Sequence, residues 1–296
     1  MTFSTETKNS LCRMEADTWC CKRSELAALV CFAGTLRKGT LKLNIENKNI
    51  ADRIFALMQE VMLSNEVVLE APKKAGGWYT VVLCGEKAIQ SLLRTLELSE
   101  TLMPCFASIE LECCRASFLR GAFLGGGSVA DPEKNYHLEF VTTNQSLAEF
   151  FTQQLASCGY IAGMTARKNH FVIYLKDSEA IAELLGRIGA GTTMMNFYNI
   201  KIERELRNRV NRQVNCDSAN LTKTMDAAQK QLEAIHKIDR VIGLDALPPQ
   251  LYEMARARLE NPELALKDLA LTLSPPIGKS GANHRLAKLL AIADSL

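Results

Sequence analysis

The spacing of apolar residues divides the chain into a mixed front part and an all-helical rear part. Residues 41–45 alternate apolar and polar side chains, which is typical of a strand with one buried face. Residues 50–62 carry apolar side chains three or four positions apart, which predicts an amphipathic helix. Beyond residue 200 only the helical spacing remains, with apolar residues at 221, 225, 228, 232 and 235. The pattern therefore predicts an α+β part followed by an all-α part.

In the front part, a short helix precedes two similar sets of elements. The short helix lies within residues 1–19, with Ser4 as its expected cap and with Leu11 and Met14 on one face. Each set has the order helix, two strands, helix, two strands, helix. The first set has helices from 22, at 50–62 and at 86–98, and strands at 41–45, 67–69 and 78–84, with a turn at 72–77. The second set has a segment 109–119 that leads into its first helix, further helices at 146–155 and 178–188, and strands at 137–142, 160–166 and 170–175.

The two sets also match residue by residue, in three blocks that keep the same order. The matches are 26–35 with 119–128, 47–51 with 144–148, and 88–93 with 180–185, at separations of 93, 97 and 92 residues. Three matched blocks in one order indicate a duplicated unit.

Leu119-Arg-Gly-Ala-Phe-Leu-Gly-Gly-Gly-Ser128 is the second copy of the first block, and it predicts a helix that packs closely on another helix. Gly121 and Gly125 lie four residues apart and so share one helix face, where their small size lets a second backbone approach. The matching helix is the first copy, 26–35. Gly125 to Gly127 are expected to adopt the left-handed conformation that ends the helix.

The pattern Leu-x-Gly-x-x-x-x-x-Gly-Ser in a duplicated unit resembles the LAGLIDADG motif of homing endonucleases. This resemblance implies an αββαββα unit repeated about a pseudo-two-fold axis, with the two motif helices packed together and the sheets forming a saddle. In that family an acidic residue at the eighth motif position binds the catalytic metal; here those positions are Ala33 and Gly126. The sixth positions, Cys31 and Leu124, also lack a carboxylate. Metal-assisted cleavage needs oxygen ligands, so we expect no catalytic residues and no nuclease activity.

Length and composition are those of a globular protein of two or three domains. The chain has 296 residues, of which 47% are hydrophobic and 23% charged. No apolar stretch approaches the roughly 20 residues of a membrane helix, and the first residues lack an apolar signal core. We therefore expect a cytoplasmic protein, associated with the nucleoid, without a membrane partner.

Ten cysteines are present, but none forms a C-x-x-C pair, and two pairs are direct sequence neighbours. This spacing fits neither a usual zinc site nor a secreted disulfide framework. With only four scattered histidines, the sequence predicts reduced, mostly buried thiols, no metal site and no cofactor.

Positive charge is concentrated after the duplicated unit, although the net charge of the chain is only +2. Between Lys201 and Lys223 there are six basic and three acidic residues. This segment is either a solvated helix face or a linker whose basic side chains contact successive phosphates of a nucleic acid. On the second interpretation, the candidate phosphate contacts are Arg204, Arg207, Arg209 and Arg212.

The last fifty residues predict three short helices around an apolar core. Pro248 and Pro249 open the first helix, Asn261-Pro-Glu is expected to cap the second, and Ser274 to Gly278 end it. The third starts at Ser280 and turns Ala282, Leu286, Leu289, Leu290 and Ala293 inward. Such a helix can read DNA as part of a helix-turn-helix, the alternative being a plain three-helix bundle. The candidate DNA-binding residues of the helix-turn-helix are Lys267, Lys279, Ser280, Gly281, Asn283, His284, Arg285 and Lys288.

Taken together, these features resemble the WhiA-type regulators of Gram-positive bacteria. The features of this chain that carry the resemblance are a degenerate LAGLIDADG-like unit, a polar joint at 211–217 and the terminal sequence Lys279 to Leu286. The resemblance implies a DNA-binding transcriptional regulator with roles in cell division, the cell cycle, chromosome segregation and, in sporulating relatives, sporulation.

Three functions remain open at this point. The first is a non-enzymatic protein that binds double-stranded DNA through its helix-turn-helix. The second is a scaffold that binds other proteins through the saddle. The third is an active endonuclease, for which Asp131 is the nearest carboxylate after the second motif.

The sequence divides the chain into five parts in order. We expect an N-terminal helical arm (1–19), a first LAGLIDADG-like unit (20–103), a second (104–200), a basic helical linker (201–245) and a helix-turn-helix domain (246–296).

Overall fold

A computed structural model describes residues 1–15, 18–62, 66–72, 74, 76–105, 109 and 111–296. Residues 73 and 75 of the predicted turn 72–77, and residue 110 of the predicted segment 109–119, lie outside these ranges. The described chain forms two compact units, Met1–Arg204 and Glu205–Leu296. Each unit has its own buried apolar core.

The first unit contains the αββαββα order twice, as predicted. The first copy consists of α2 (Trp19–Ala33), β1 (Gly34–Arg37), β2 (Thr40–Ile45), α3 (Lys48–Met62), β3 (Val67–Glu70), β4 (Tyr79–Cys84) and α4 (Glu86–Leu96), preceded by α1 (Phe3–Cys12). The second copy consists of α5 (Glu112–Gly126), β5 (Gly127–Val129), β6 (Leu138–Thr142), α6 (Gln145–Ser157), β7 (Gly163–Arg167), β8 (His170–Leu175) and α7 (Ser178–Arg187). Strands β1 and β5 follow the motif helices directly, and sequence spacing alone did not delimit them.

Both copies build the same sheet. The strand orders are β1-β2-β4-β3 and β5-β6-β8-β7, with antiparallel neighbours throughout. Alternation buries one face of each sheet: on β2, for example, Leu41, Leu43 and Ile45 point into the core. The amphipathic helices α3 and α6 bury their apolar stripes in the same core. The duplicated LAGLIDADG-like fold is confirmed.

The motif helices α2 and α5 pack directly on each other at the centre of this unit. A Cβ atom built on Gly121 would overlap the carbonyl oxygen of Glu25 and would lie 3.0 Å from Cβ of Ala28. On Gly125 it would lie 3.2 Å from Cβ of Phe32. The crossing of the two helices therefore leaves no room for a larger side chain at Gly121.

Two further contacts join the copies. The buried carboxylate of Glu25 on α2 is bound by two arginines, Arg53 of α3 and Arg120 of α5. Arg120 also donates to the carbonyl oxygen of Ile188 at 3.1 Å. At the other end of α2, the ring of Phe32 lies 5.0 Å from that of Phe151 in the second copy.

The predicted role of the three glycines was wrong. Helix α5 runs through Gly126, and its cap Gly127 is extended, with φ −88° and ψ 156°. The chain passes straight into β5, so no left-handed residue is needed. Close contacts explain the glycines instead: a Cβ on Gly126 would lie 2.7 Å from the carbonyl oxygen of Val141, and one on Gly127 would lie 2.6 Å from Cα of Phe123.

The N-terminal helix differs from its prediction in its cap and in its surroundings. Thr2, not Ser4, caps α1, because its hydroxyl accepts a hydrogen bond from the backbone N–H of Thr5. Ser4 instead accepts from the N–H of Val129 at 3.3 Å. Leu11 is fully buried in the first core, so α1 is an integral layer of that unit and not a separate arm.

The predicted polar joint at 211–217 does not interrupt the chain. It lies inside α8 (Gly191–Ile242), the helix in which the division between the two units falls. The helix predicted from the apolar spacing beyond it is confirmed, although Leu221 and Met225 at the start of that stripe are 62% and 61% exposed. Spacing assigns residues to a common face, but burial requires a neighbour, and the second core begins further along, at Ala234.

The second unit adds a 3-10 turn (Leu244–Ala246) and the helices α9 (Pro249–Glu260), α10 (Leu266–Leu271) and α11 (Lys279–Ser295). The inward residues of α11 are as predicted, with Leu290 partly buried at the rim of the core. Asn261 was assigned to the wrong helix. Its side-chain amide donates to the carbonyl oxygen of Ala257 and so caps the end of α9, whereas α10 starts after Ala265.

Candidate nucleic-acid interface

Helix α11 presents a polar surface at its N-terminal turns because its apolar side is held by the core. Ala282, Leu286 and Leu289 are buried against α9 and α10. The opposite side is exposed: Lys279, Ser280, Gly281, Asn283, His284 and Lys288 all face solvent.

The exposed residues form two adjacent rows. Ser280, His284 and Lys288 are four residues apart and lie one above the other, and Lys279 and Asn283 form the neighbouring row. From Lys279 to Leu290 the helix contains no acidic residue. The surface therefore offers hydrogen-bond donors and positive charge without a competing carboxylate of its own helix.

The first turn of α11 can also bind an anion through its backbone. Its cap, Gly278, has no side chain to accept from the free N–H groups of that turn. Free N–H groups and the helix dipole favour a phosphate at this position. Backbone and side-chain donors therefore lie at the same end of the helix.

Arg285 does not share this exposed surface. Its guanidinium lies on α9, where Nη1 is 3.5 Å from the carbonyl oxygen of Gln250 and 3.9 Å from Oε2 of Glu253. Only 20% of its side chain is exposed. Of the neighbouring residues Asn283, His284 and Arg285, only the first two therefore present fully accessible side chains.

Gly281 and Lys267 are both exposed, in different environments. A Cβ on Gly281 would meet only Ile277, at an ordinary 3.6 Å, so nothing within the described chain requires a glycine there. Lys267 lies in the first turn of α10, beside the exposed Asp268.

A buried arginine fixes the turn between α9 and α10. Arg258 is 2% exposed, and its Nη1 donates to the carbonyl oxygen of Leu264 at 2.8 Å. Burial lowers the pKa of this guanidinium. This burial could not be predicted from the sequence, because an arginine in a polar helix normally lies at the surface. Only the packing of the folded chain shows that Arg258 is buried.

The four arginines of α8 are not equivalent. Arg207, Arg209 and Arg212 are exposed, and Nε of Arg212 donates to the carbonyl oxygen of Asn208 at 3.2 Å. Arg204 belongs to the first unit, where it donates to the carbonyl oxygen of Pro132 and lies 4.8 Å from the ring centre of Tyr136. Its guanidinium therefore stabilises the first unit.

The outer faces of the two sheets carry nearly balanced charge. In the first sheet, Arg37 and Lys42 are opposed by Glu70. In the second, Arg167 is opposed by Glu139, which accepts from Ser128 at 3.2 Å. Glu179 lies on α7, where Lys201 and Tyr198 bind it and their hydrogen bonds lower the pKa of its carboxyl group.

At the motif positions where the resemblance would require metal-binding acids, the end of α5 is bound by a cation. Lys8 of α1 donates from Nζ to the carbonyl oxygen of Leu124 at 3.3 Å, two residues before Gly126. Burial lowers the pKa of Lys8 to about 8. A groove of about 700 Å³ lies here, and its one acidic lining residue among the described residues is Glu46. Asp131 is used in a turn, where its Oδ1 accepts from the N–H of Glu133.

The fold also brings together four cysteines that the sequence keeps apart. Cys20 and Cys21 at the start of α2 meet Cys113 and Cys114 at the start of α5, with all four sulfur atoms within 4.8 Å of one another. Metal-binding motifs are recognised by short spacings within one stretch, so sequence analysis missed this group. The signal that could have found it is the separation of 93 residues, which equals that of the motif helices.

Among the helices of the described residues, none combines the length and the apolar character that crossing a membrane would require.

Three family models match the chain in order. They are described as the WhiA N-terminal LAGLIDADG-like domain (residues 19–99), the WhiA LAGLIDADG-like domain (115–207) and the WhiA C-terminal HTH domain (210–293). The third match covers the helices that carry the interface described above.

Similar proteins match along the whole chain. A "Probable cell division protein WhiA" of Alkaliphilus metalliredigens is 41% identical, over 99% of this chain and 98% of its own. One of Heliobacterium modesticaldum with the same description is 39% identical, over 100% and 97%. A solved structure described as "full-length DUF199/WhiA from Thermatoga maritima" matches with a TM-score of 0.61 and 27% identity, over 100% of this chain and 99% of that one.

Proposed function

Because this chain belongs to the WhiA family, we propose that it is a non-enzymatic protein that binds double-stranded DNA through α11 and regulates transcription. The observation that carries the proposal is the exposed surface of α11 made by Lys279, Ser280, Asn283, His284 and Lys288, with no acidic residue between Lys279 and Leu290. An α-helix fits the major groove, where such donors reach base edges and phosphates.

We assign separate roles to the residues of this surface. Asn283 and His284 are the candidates for base contacts, because their exposed side chains lie between Lys279 and Lys288 along the helix. Lys279, Ser280 and Lys288 flank them and are suited to phosphates, as are Lys267 and the exposed arginines Arg207, Arg209 and Arg212. Gly281 leaves space for close approach of the DNA backbone. Arg285 and Arg204 are weaker candidates, because both guanidinium groups already have partners within the chain.

The description of the relatives as cell division proteins supports a role in that process. Action at the nucleoid, chromosome segregation and, in sporulating relatives, sporulation are finer parts of the proposal, and they rest on the family resemblance.

A direct test measures the affinity of the full-length protein for genomic DNA fragments and for random duplex DNA at two salt concentrations. The double variant Lys279→Glu/Lys288→Glu should bind both DNAs more weakly and with a shallower salt dependence, because fewer counterions are released. The matched control is Lys74→Glu/Lys87→Glu, which makes the same charge change at exposed lysines of the first unit. Equal affinity of the two double variants would refute the role of α11.

A second candidate function is protein binding by the sheets of the first unit. It is favoured by their balanced charge and by two exposed apolar side chains, Val68 and Trp78, which are 54% and 53% accessible. If the sheets bind protein and not DNA, Lys42→Glu/Arg167→Glu should leave DNA affinity unchanged. A drop in affinity comparable to that of the α11 variant would instead indicate a second DNA-binding surface.

A further inference from the structure

Two Cys-Cys dipeptides meet where the motif helices begin. Cys20 and Cys21 are the second and third residues of α2, and Cys113 and Cys114 hold the same places in α5. Both pairs are 93 residues apart, as are Leu26 and Leu119 of the duplicated block. The cysteines are therefore repeat-equivalent, and each copy contributes half of the group.

The distances suit a single ion. All four sulfur atoms lie within 4.8 Å of one another. Four thiolates around one zinc ion, at about 2.3 Å each, place the sulfurs about 3.8 Å apart in a tetrahedron. The observed group needs a contraction of about 1 Å or less, which small side-chain rotations supply. An iron–sulfur cluster inserts several atoms between its thiolates and so requires a wider group.

Both cysteine pairs lie at helix N-termini. Neither cap residue, Thr18 of α2 or Leu111 of α5, makes a side-chain hydrogen bond to its helix, so free N–H groups of both helix starts are available to the sulfurs. Each helix start carries a partial positive charge of about half a unit, which stabilises a nearby anion.

The group is also accessible to an ion yet anchored in the core. Cys21 and Cys114 are buried, whereas Cys20 is half-buried and Cys113 is exposed. Binding of a metal ion displaces the protons of its thiol ligands.

From this geometry we propose that Cys20, Cys21, Cys113 and Cys114 form a tetrathiolate site for one zinc-class divalent cation, which ties together the N-terminal ends of α2 and α5. The site lies in the first unit and is independent of DNA binding by α11. Its role is structural, because four protein ligands leave no open position for a substrate.

The test uses full-length protein that is reduced, stripped with a chelator and titrated with Co²⁺ and then Zn²⁺ without oxygen. We expect one Co²⁺ per chain, with thiolate-to-cobalt charge-transfer absorption and the visible bands of a tetrahedral ion, and displacement by Zn²⁺. Proton release on binding and a higher melting temperature with Zn²⁺ should accompany it.

The test variant is Cys20→Ser/Cys113→Ser, which removes one ligand per helix at the two more accessible positions. Loss of an outer-shell partner weakens metal binding by about 10–100-fold. Because this variant loses two direct ligands, its affinity for Co²⁺ should fall by more than that. The single variant Cys113→Ser, at an exposed position, should also lose the tetrathiolate spectrum, which keeps the test decisive if the double variant folds poorly. The matched control, Cys84→Ser/Cys216→Ser, changes two exposed cysteines elsewhere and should behave like the wild type.

Three results would overturn the proposal: no tetrahedral thiolate spectrum in the wild type, an equal loss in the control variant, or a spectrum that persists in Cys113→Ser. Mass spectrometry of freshly purified protein offers a further check. Disulfides joining the two dipeptides, in place of a bound metal, would assign the group to redox chemistry instead.

Discussion

Arg120 of the second copy donates from Nε to Oε2 of Glu25 in the first copy, at 2.9 Å, and both side chains are buried. Glu25 also binds Arg53, so one carboxylate compensates two guanidinium groups in the interior. Removing the carboxylate would leave both cations buried without a counter-charge, which is far more costly than losing an exposed pair.

We therefore expect Glu25→Ala to lower the free energy of unfolding by about 3–5 kcal/mol. The control is Glu183→Ala, whose exposed side chain pairs with Arg187 at 3.7 Å and should contribute less than about 1 kcal/mol. Urea denaturation followed by circular dichroism measures both. Similar values for the two variants would mean that the buried network does not stabilise the helix pair.

Gly121→Ala should destabilise the first unit by about 1–3 kcal/mol, because the new Cβ overlaps the carbonyl oxygen of Glu25. Gly281→Ala provides the matched control in α11, where the added methyl group has room and helix propensity improves. Thermal unfolding should show a lower transition temperature only for Gly121→Ala. An unchanged transition would show that α2 and α5 can move apart without cost.

Base contacts and phosphate contacts should respond differently to mutation. Asn283→Ala or His284→Ala should reduce affinity for the preferred site by roughly 1–3 kcal/mol and affect random DNA less. Arg207→Ala and Arg209→Ala should weaken binding to all sequences alike, and each should reduce the salt slope by about one counterion, because one phosphate is no longer neutralised. Titrations at several salt concentrations separate the two patterns. Unaltered sequence preference in the α11 variants would mean that another surface reads the DNA.

The buried Lys8 should make stability depend on alkaline pH. Its pKa is about 8 in the folded protein and has an ordinary value of 10.5, so between these values the unfolded chain binds more protons. Stability of the wild type relative to Lys8→Met should therefore rise as the pH increases through this window, and it should be lowest, relative to the variant, below pH 8. Denaturation midpoints at pH 7, 8.5 and 10 test this. A difference that stays constant would show that Lys8 keeps its charge; Lys267→Met, at an exposed site, is the control.

No cleavage of plasmid DNA is expected with Mg²⁺ or Mn²⁺, because Ala33 and Gly126 replace the metal-binding acids of the resembled endonucleases. Asp131→Asn and Glu46→Gln should bind DNA as the wild type does. Metal-dependent nicking that either substitution abolishes would contradict the non-enzymatic proposal.

Much of the fold could be predicted from the sequence because its signals are local or repeated. Alternation located β2, helical spacing located α3 and α6, and the repeated block located α2 and α5. The inward face of α11 also followed from spacing alone. Such signals need no knowledge of which residues meet in space.

The remaining features depend on contacts between distant residues. Thr2 and Ser4 are both acceptable caps, and only the path of the chain past Val129 decides between them. In the sequence, Gly125 to Gly127 suggest a left-handed turn. In the structure, Val141 lies too close to Gly126, and Phe123 too close to Gly127, for a larger side chain at either position. The sequence predicts Arg285 to be an exposed donor, whereas in the structure its guanidinium contacts Gln250 and Glu253 of α9. The cysteine group depends in the same way on the crossing of α2 and α5.

The insertion of Phe32 among the aromatic rings of the second copy makes the two copies mutually dependent. Without the second copy, Phe32 and the glycine-facing side of α2 would be exposed to water, and Arg120 would lose its carboxylate partner. The interface between the copies thus resembles that of an obligate heterodimer whose subunits share one polypeptide. A single backbone cleavage between them should leave the first unit assembled, whereas neither copy expressed alone could cover its apolar face.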